Sequence, residues 1–236
     1  MKETCTYCGR AAESRDHVPP KNLFPKPRPN DLISVPSCIK CNQGFSKDDE
    51  YLRLVLTPRA DVFDHPGANP LWPTTLRSLS RPEKRRFREY FMAGVHERNA
   101  RTAAGIHVGR VGTYDVDMKR LNRVATRIVS ALFQQERGAR APDGYRVAGY
   151  FVDSLRDADA ECKRLLGGTV ASAQQAVPVT IGNGVFTYWF RVVQEAPHGS
   201  VAAFVFYERI GCVGLVVEDP NRPIETDAER RRGPSA

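Results

Sequence analysis

Hydrophobic positions along this chain switch between a spacing of two and a helical spacing, and the switches divide it into three stretches. In the first, Leu32-Ile33-Ser34-Val35 is a short strand-like run. Tyr51, Leu52, Val55 and Leu56 then recur at helical spacing, with Ser46 as N-cap, Asp49 three residues on, and Pro58 as a stop. Pro19, Pro20, Pro25, Pro27 and Pro29 make the stretch 18–30 irregular or extended, and Gly44 breaks the chain ahead of the helix. Residues 1–58 therefore predict two short strands, a knuckle and one helix.

Residues 59–79 carry Pro66, Gly67, Pro70 and Pro73 without periodicity and read as a linker, anchored by Trp72. Ser80, Pro82 and Glu83 open a helix whose face holds Phe87, Tyr90, Phe91 and Val95. A second helix, started by Asp115 or Asp117 and ended by Gly138, carries Leu121, Val124, Ile128, Val129 and Leu132. Residues 80–138 thus form a helical region. From 139 to 218 the spacing becomes strand-like: a strand at 145–152, a short helix opened by Ser154 and closed by Gly167-Gly168, then runs at 185–193, 201–207 and 212–217. Asn183-Gly184 and Pro197-His198-Gly199 supply turns, so an antiparallel meander backed by the 154–166 helix is expected. Residues 219–236, with Arg230-Arg231-Arg232, read as a flexible tail. The fold class is α+β, without internal repeats.

Composition leaves this picture intact. At 236 residues, 41% hydrophobic, 26% charged and a mean hydropathy of −0.43, the chain has the profile of a soluble globular protein. It contains no apolar run long enough for a membrane span and opens without a signal-peptide pattern, so a cytoplasmic protein with no membrane partner is expected. Charge adds something new. The net +8 is concentrated in residues 77–140, where 15 Lys and Arg face 6 Asp and Glu. Such a basic segment suits a polyanion such as nucleic acid, or else is a solvated helix surface. Arg120, Arg123 and Arg127 fall three and four apart, on one helical face.

The cysteines point to a metal. Cys5 and Cys8, then Cys38 and Cys41, form two C-x2-C pairs separated by 29 residues. Each pair places two thiolates on one knuckle, and two knuckles complete a tetrahedron suited to structural Zn²⁺. A redox pair or an iron–sulfur site would use similar ligands. A fully thiolate-ligated zinc holds the fold and keeps no open position for chemistry.

Chemistry falls instead to Asp16-His17, which follow the first pair, and Asn42, which follows the last cysteine. Together with Val18-Pro19 and Val35-Pro36-Ser37, the order Cys5-x-x-Cys8, Asp16-His17, Cys38-x-x-Cys41-Asn42 resembles the HNH endonucleases, over roughly residues 5–56. The resemblance implies a ββα-metal finger in which His17 activates water, while Asp16 and Asn42 bind one catalytic divalent metal, Mg²⁺ or Mn²⁺. It implies hydrolysis of phosphodiester bonds, most simply in double-stranded DNA, leaving a 5′-phosphate and a 3′-hydroxyl. An imidazole that titrates near neutrality and hard oxygen ligands agree with those roles. The family also carries an Asn before the second cysteine pair. Here that offset falls near Ile33, and Asn30 or Asp31 is the nearest polar residue.

Among the remaining residues, Lys21 is a candidate phosphate contact or a solvated lysine. Asp48, Asp49 and Glu50 either add a metal ligand or complement a helix dipole in its first turn. His65, His96, His107 and His198 lack partner motifs, and Cys162 and Cys212 read as ordinary thiols. The basic helices would hold the nucleic-acid backbone, and residues 139–218 would serve recognition or homodimerisation. Two rivals share these residues: a non-catalytic zinc module that binds nucleic acid or serves as an interaction module, and the same chemistry on RNA.

Overall fold

In the computed structural model, residues 3–102, 104–194 and 199–219 are described. The fold is mixed helix and sheet. Strand β1 (Ser14–Val18) pairs antiparallel with β2 (Ile33–Ser37), placing Asp16 opposite Val35 and His17 opposite Ser34. Helix α1 (Ile39–Leu56) follows at once. It starts well before the Ser46 cap expected from sequence, because Cys38 itself caps it, its sulfur accepting the Cys41 N–H at 3.4 Å. Gly44 lies inside the helix, where no atom crowds it, so it does not break the turn.

The stretch 59–79 is packed rather than a loose connection. Val62, Ala68 and Leu71 are buried, and a short helix α2 (Trp72–Leu79) buries Thr75 and Leu79. Helix α3 (Arg85–Ala93) ends at Gly94, so Val95 is not on its face as the periodicity suggested. Val95 instead begins strand β3 (Val95–Arg101), which pairs with β4 (His107–Tyr114) as a separate hairpin. The basic region is therefore two helices with a β-ribbon between them.

Helix α4 (Met118–Arg137) matches the expected start and stop. Asp117 accepts the Arg120 N–H at its N-terminus, and Gly138 closes it in the left-handed conformation at φ 69°. Strand β5 (Tyr145–Phe151) then joins the edge of a sheet ordered β5-β9-β8-β7-β6, all antiparallel, with β6 at Val179–Ile181, β7 at Phe186–Val193, β8 at Gly199–Phe206 and β9 at Ile210–Glu218. Helix α5 (Ala160–Ala173) runs through Gly167 and Gly168 instead of stopping there. Its Cys162 N–H is held by Asp159, and Val152–Leu155 forms a separate 3₁₀ turn.

One connected cluster of buried apolar side chains runs from Val18 in β1 to Val216 in β9. Helix α4 lies at its centre, against β5 and β9 on one side and α1, β1 and β2 on the other. Two glycines permit that approach. A Cβ at Gly214 would sit 2.1 Å from Val129, and one at Gly149 would sit 2.5 Å from the Ala125 backbone. The expected tail at 219–236 lies, apart from residue 219, outside the described residues, as does His198. Among the described residues, no helix is long and apolar enough to cross a membrane.

Candidate zinc centre and catalytic face

The turn carrying Cys5 and Cys8 folds beside the start of α1, which brings both cysteine pairs together. One ligand atom from each of Cys5, Cys8, Cys38 and Cys41 lies within 4.8 Å of the others, and the Cys8 and Cys38 sulfurs are 3.7 Å apart. Four sulfurs about 2.3 Å from a shared tetrahedral centre would be spaced close to that separation. The donor set therefore fits zinc. Arg10 donates from Nε to the Cys8 sulfur at 3.3 Å and reaches Cys38 from Nη2 at 3.7 Å. That guanidinium draws the Cys8 thiol down to about 6, and the Cys41 N–H lowers Cys38, whereas burial pushes Cys41 up to about 12. A cation beside the thiolates offsets part of the negative charge of a four-cysteine site.

Alternation along β1 sorts the catalytic candidates onto two faces. Ser14, Asp16 and Val18 point one way, Arg15 and His17 the other. Asn42, in the first turns of α1, donates from Nδ2 to the Arg15 carbonyl at 3.1 Å and to Ser14 Oγ at 3.2 Å. This ties α1 to β1 on the Asp16 side. Asn42 is thus fixed on the side of β1 that carries Ser14 and Asp16, and His17 projects from the other.

Asp16 is buried, 5% exposed, in a polar cluster that sequence reasoning missed. Its Oδ2 accepts the Tyr7 hydroxyl at 2.6 Å and lies 3.7 Å from Arg127 Nε on α4. Arg127 Nη2 donates to Asp49 Oδ1 at 2.5 Å, and its guanidinium lies over the Phe45 ring at 4.5 Å. Burial works to lower the Arg127 pKa, but Asp49 and Asp16 outweigh it and hold the charge in place. Burial also raises Asp49 to about 6 against the pull of Arg127. Two carboxylates share one guanidinium here, so the cluster retains surplus negative charge wherever both are ionised. Among the described residues Asp16 Oδ1 accepts no hydrogen bond, and Asn42 Oδ1 accepts none either. Both are hard oxygens of the kind a divalent cation takes, with the Arg127 guanidinium already 3.7 Å from Asp16.

The other acids on α1 have different fates. Because the helix begins at Ile39, Asp48, Asp49 and Glu50 lie in its middle and not in its first turn. Asp48 pairs with Arg120 at 2.5 Å and with Arg123 at 3.5 Å, while Glu50 pairs with Lys84 and accepts Ser78 Oγ at 2.7 Å. The arginine row of α4, read as a nucleic-acid face, is largely spent on α1. Arg127 is fully internal, Arg120 mostly so, and Arg123 alone keeps a mainly exposed side chain.

His17 is half-buried on its own face. Burial lowers its pKa below the ordinary 6.5, and Lys21, Arg28 and Arg15 push it further down against the opposing pull of Asp16. The imidazole is therefore neutral at pH 7 with cations around it. The loop bearing Lys21 is held from two sides: Asn22 Nδ2 donates to the Asp49 carbonyl at 2.9 Å, and Tyr207 donates its hydroxyl to the Leu23 carbonyl at 2.9 Å. The C-terminal sheet thus supports this loop, a role its sequence did not reveal. Asn30 and Asp31 lie in the turn before β2, and among the described residues neither side chain makes a hydrogen bond. His65 donates nothing to this face; its Nδ1 accepts the Gly67 N–H at 3.0 Å and its ring packs edge-on against Tyr207. His96 reaches Asp115 at 3.3 Å, and His107 lies in β4. Cys212 is buried, which pushes its thiol well up, and Cys162 is half-buried.

No family model, curated protein or solved structure matches the chain. The functional reading therefore rests on the geometry and on the motif order.

Proposed function

We propose that the protein is a metal-dependent endonuclease of the HNH type that hydrolyses DNA phosphodiester bonds, its first 58 residues forming a zinc-stapled ββα-metal finger. The observation that carries the reading is His17: a half-buried imidazole, kept neutral at pH 7 and surrounded by Lys21, Arg28 and Arg15. A neutral histidine among cations is what a general base beside a phosphodiester requires. It can take a proton from water, while the cations favour the phosphate.

In this reading Lys21, Arg28 and Arg15 draw the phosphate to the outer face of β1. His17 accepts a proton from the attacking water as its oxygen bonds to phosphorus. The bond from phosphorus to the 3′-oxygen breaks, and the leaving oxygen takes a proton from solvent water, giving a 3′-hydroxyl and a 5′-phosphate. Asp16 and Asn42, on the opposite face of β1, would hold a divalent cation, Mg²⁺ or Mn²⁺, whose chemistry when bound is to neutralise charge on a phosphodiester; it would act together with His17 only where the DNA backbone spans both faces of the strand. Arg127 and Tyr7 position the Asp16 carboxylate, and Asn42 fixes α1 against β1. Zinc on the four cysteines holds these segments together without entering the reaction.

Two observations favour a non-catalytic zinc module that binds nucleic acid: Arg127 already places a cation 3.7 Å from Asp16, and β1 turns His17 to the face opposite Asp16 and Asn42. Nicking of supercoiled plasmid with Mg²⁺ or Mn²⁺ separates the two readings. Wild type should cleave, and His17→Ala should lose at least 100-fold in rate, on the order expected for a general base, with zinc content and melting unchanged. Equal cleavage by both proteins, or none by either with DNA or RNA, would sink the nuclease reading.

A further inference from the structure

The β3–β4 hairpin is unlike the rest of the molecule. Its base is anchored: Tyr114 packs on Phe91 and donates its hydroxyl to the Val55 carbonyl at 2.6 Å, and Asp115 N–H donates to the Gly94 carbonyl at 2.9 Å. Beyond that base, β3 and β4 pack chiefly on each other, and six of the seven β3 residues are exposed. A seven-residue ladder extends about 24 Å. An isolated two-stranded ribbon is marginal in water, so one this exposed needs a second surface to justify it.

Its side chains indicate which surface. Arg98, Arg101 and Arg110 are offset by Glu97 alone, and His96 and His107 lie on the same ribbon. Arg110 contacts Glu97 at 3.4 Å with both groups exposed, whereas Arg98 and Arg101 have no ion pair among the described residues. This differs from Arg120 and Arg127 of α4, which are taken up by Asp48 and Asp49. By register, Asn99 lies opposite Arg110 and Arg101 opposite His107, which places Asn99, Arg101, His107 and Arg110 on one face. Arg98 lies on the other face with Val111. Gly109 and Gly112 in β4 have open space where a side chain would stand, which keeps the ribbon thin. Near the tip, Ile106 and Val108 are 65% and 62% exposed.

We propose that this hairpin is a DNA-reading arm that lies in a groove of the duplex, Arg98, Arg101 and Arg110 meeting phosphates and base edges. A two-stranded ribbon fits the width of the major groove, and arginine with asparagine is the side-chain pair that reads base edges there. The exposed Ile106 and Val108 would meet the apolar parts of the groove, such as thymine methyl groups. A nucleic acid also answers the charge, because Arg98 and Arg101 find no acid among the described residues. The proposal deepens the nuclease reading and rests on its polymer being DNA, but it does not depend on His17.

The test uses full-length protein carrying His17→Ala, so that DNA stays intact, and measures binding to a 20–30 base-pair duplex by fluorescence anisotropy across salt concentrations. The triple variant Arg98→Ala, Arg101→Ala, Arg110→Ala should bind at least tenfold more weakly, and its salt slope should fall by about two to three. Glu97→Gln, which removes the one acid on the ribbon, should tighten binding. Cleavage of bis(p-nitrophenyl) phosphate by otherwise wild-type protein should be unchanged by the triple substitution, because a small diester does not reach the arm. Unchanged duplex affinity and salt slope in the triple variant overturn the proposal, even where the small diester is still cleaved. A change in sedimentation state without a change in duplex binding also overturns it, in favour of an arm between copies of the chain. Loss of duplex binding in the triple variant upholds the arm, even where wild type cleaves neither substrate and the nuclease reading falls.

Discussion

Arg127 offers the sharpest test of how the four-cysteine segment is joined to the rest of the chain. Its side chain is 3% exposed, against 7% for Asp16 and 18% for Asp49, so all three groups lie largely out of water. Replacing Arg127 with methionine preserves most of the volume and removes the charge. Two carboxylates are then left facing one another without a cation, with only Tyr7 still donating to Asp16. Removing one partner from a buried ion cluster costs about 3–5 kcal/mol, because the remaining charges stay desolvated. In a chain of this length each kcal/mol moves the melting midpoint by about 2–4 °C, so a fall of roughly 10 °C is expected. Thermal melts followed by circular dichroism, with zinc content checked in parallel, measure it. Adding Asp49→Asn to Arg127→Met should recover about 1–2 kcal/mol, since one stranded charge is gone. The deficit of the single variant should also shrink on acidification, as protons replace the missing cation. A melting midpoint within about 2 °C of wild type, or no recovery in the double variant, would refute this account of the cluster.

Further expectations follow from other parts of the molecule. Asp49 sits at about 6 when folded against an ordinary 3.8, so the folded chain holds its proton more tightly than the unfolded chain between those values. This group's contribution to stability therefore falls as pH rises from about 4 to 6, and Asp49→Asn should remove that component from a comparison of denaturant midpoints at the two pH values. One zinc per chain should be found by elemental analysis, and Cys8→Ser or chelation should release it and melt the first 58 residues, read as lost protection in hydrogen exchange. Gly149→Ala should be harsher than Gly214→Ala: the first drives a Cβ into the Ala125 backbone at 2.5 Å, whereas the second meets the Val129 side chain, which can turn. Overpacking of this kind costs about 1–3 kcal/mol, measured by urea unfolding. Because His17 is held below its ordinary pKa of 6.5, the nicking rate should rise with pH through a midpoint below that value.

Several features could be read from residues close together in sequence. The two C-x2-C pairs mark the four cysteines that gather into a possible metal site, since nothing beyond four sulfurs on two knuckles is required to identify them. Helix α4 is bounded by Asp117 and Gly138, a cap at one end and a left-handed glycine at the other, and its apolar face follows a helical period. The strands β7, β8 and β9 stand where their β-rich runs lie. Other features needed the folded chain. The start of α1 at Ile39 depends on a cysteine sulfur accepting a backbone N–H, which no helix period records. The residues 95–114 hold too few apolar positions in register to announce a hairpin that faces water on both sides. The packing of residues 59–79 followed from Val62, Ala68 and Leu71 meeting a core made by distant elements. Above all, the arginines of α4 looked alike in sequence, and only the tertiary structure decided that Arg120 and Arg127 would be spent on α1 and β1 while Arg98 and Arg101 would be left to solvent. Caps, knuckles and periods are properties of neighbouring residues, so a sequence carries them directly. The partner of a charge is chosen by which segments pack together, and Asp16 meets Arg127 only because α4 crosses behind the strand that holds it.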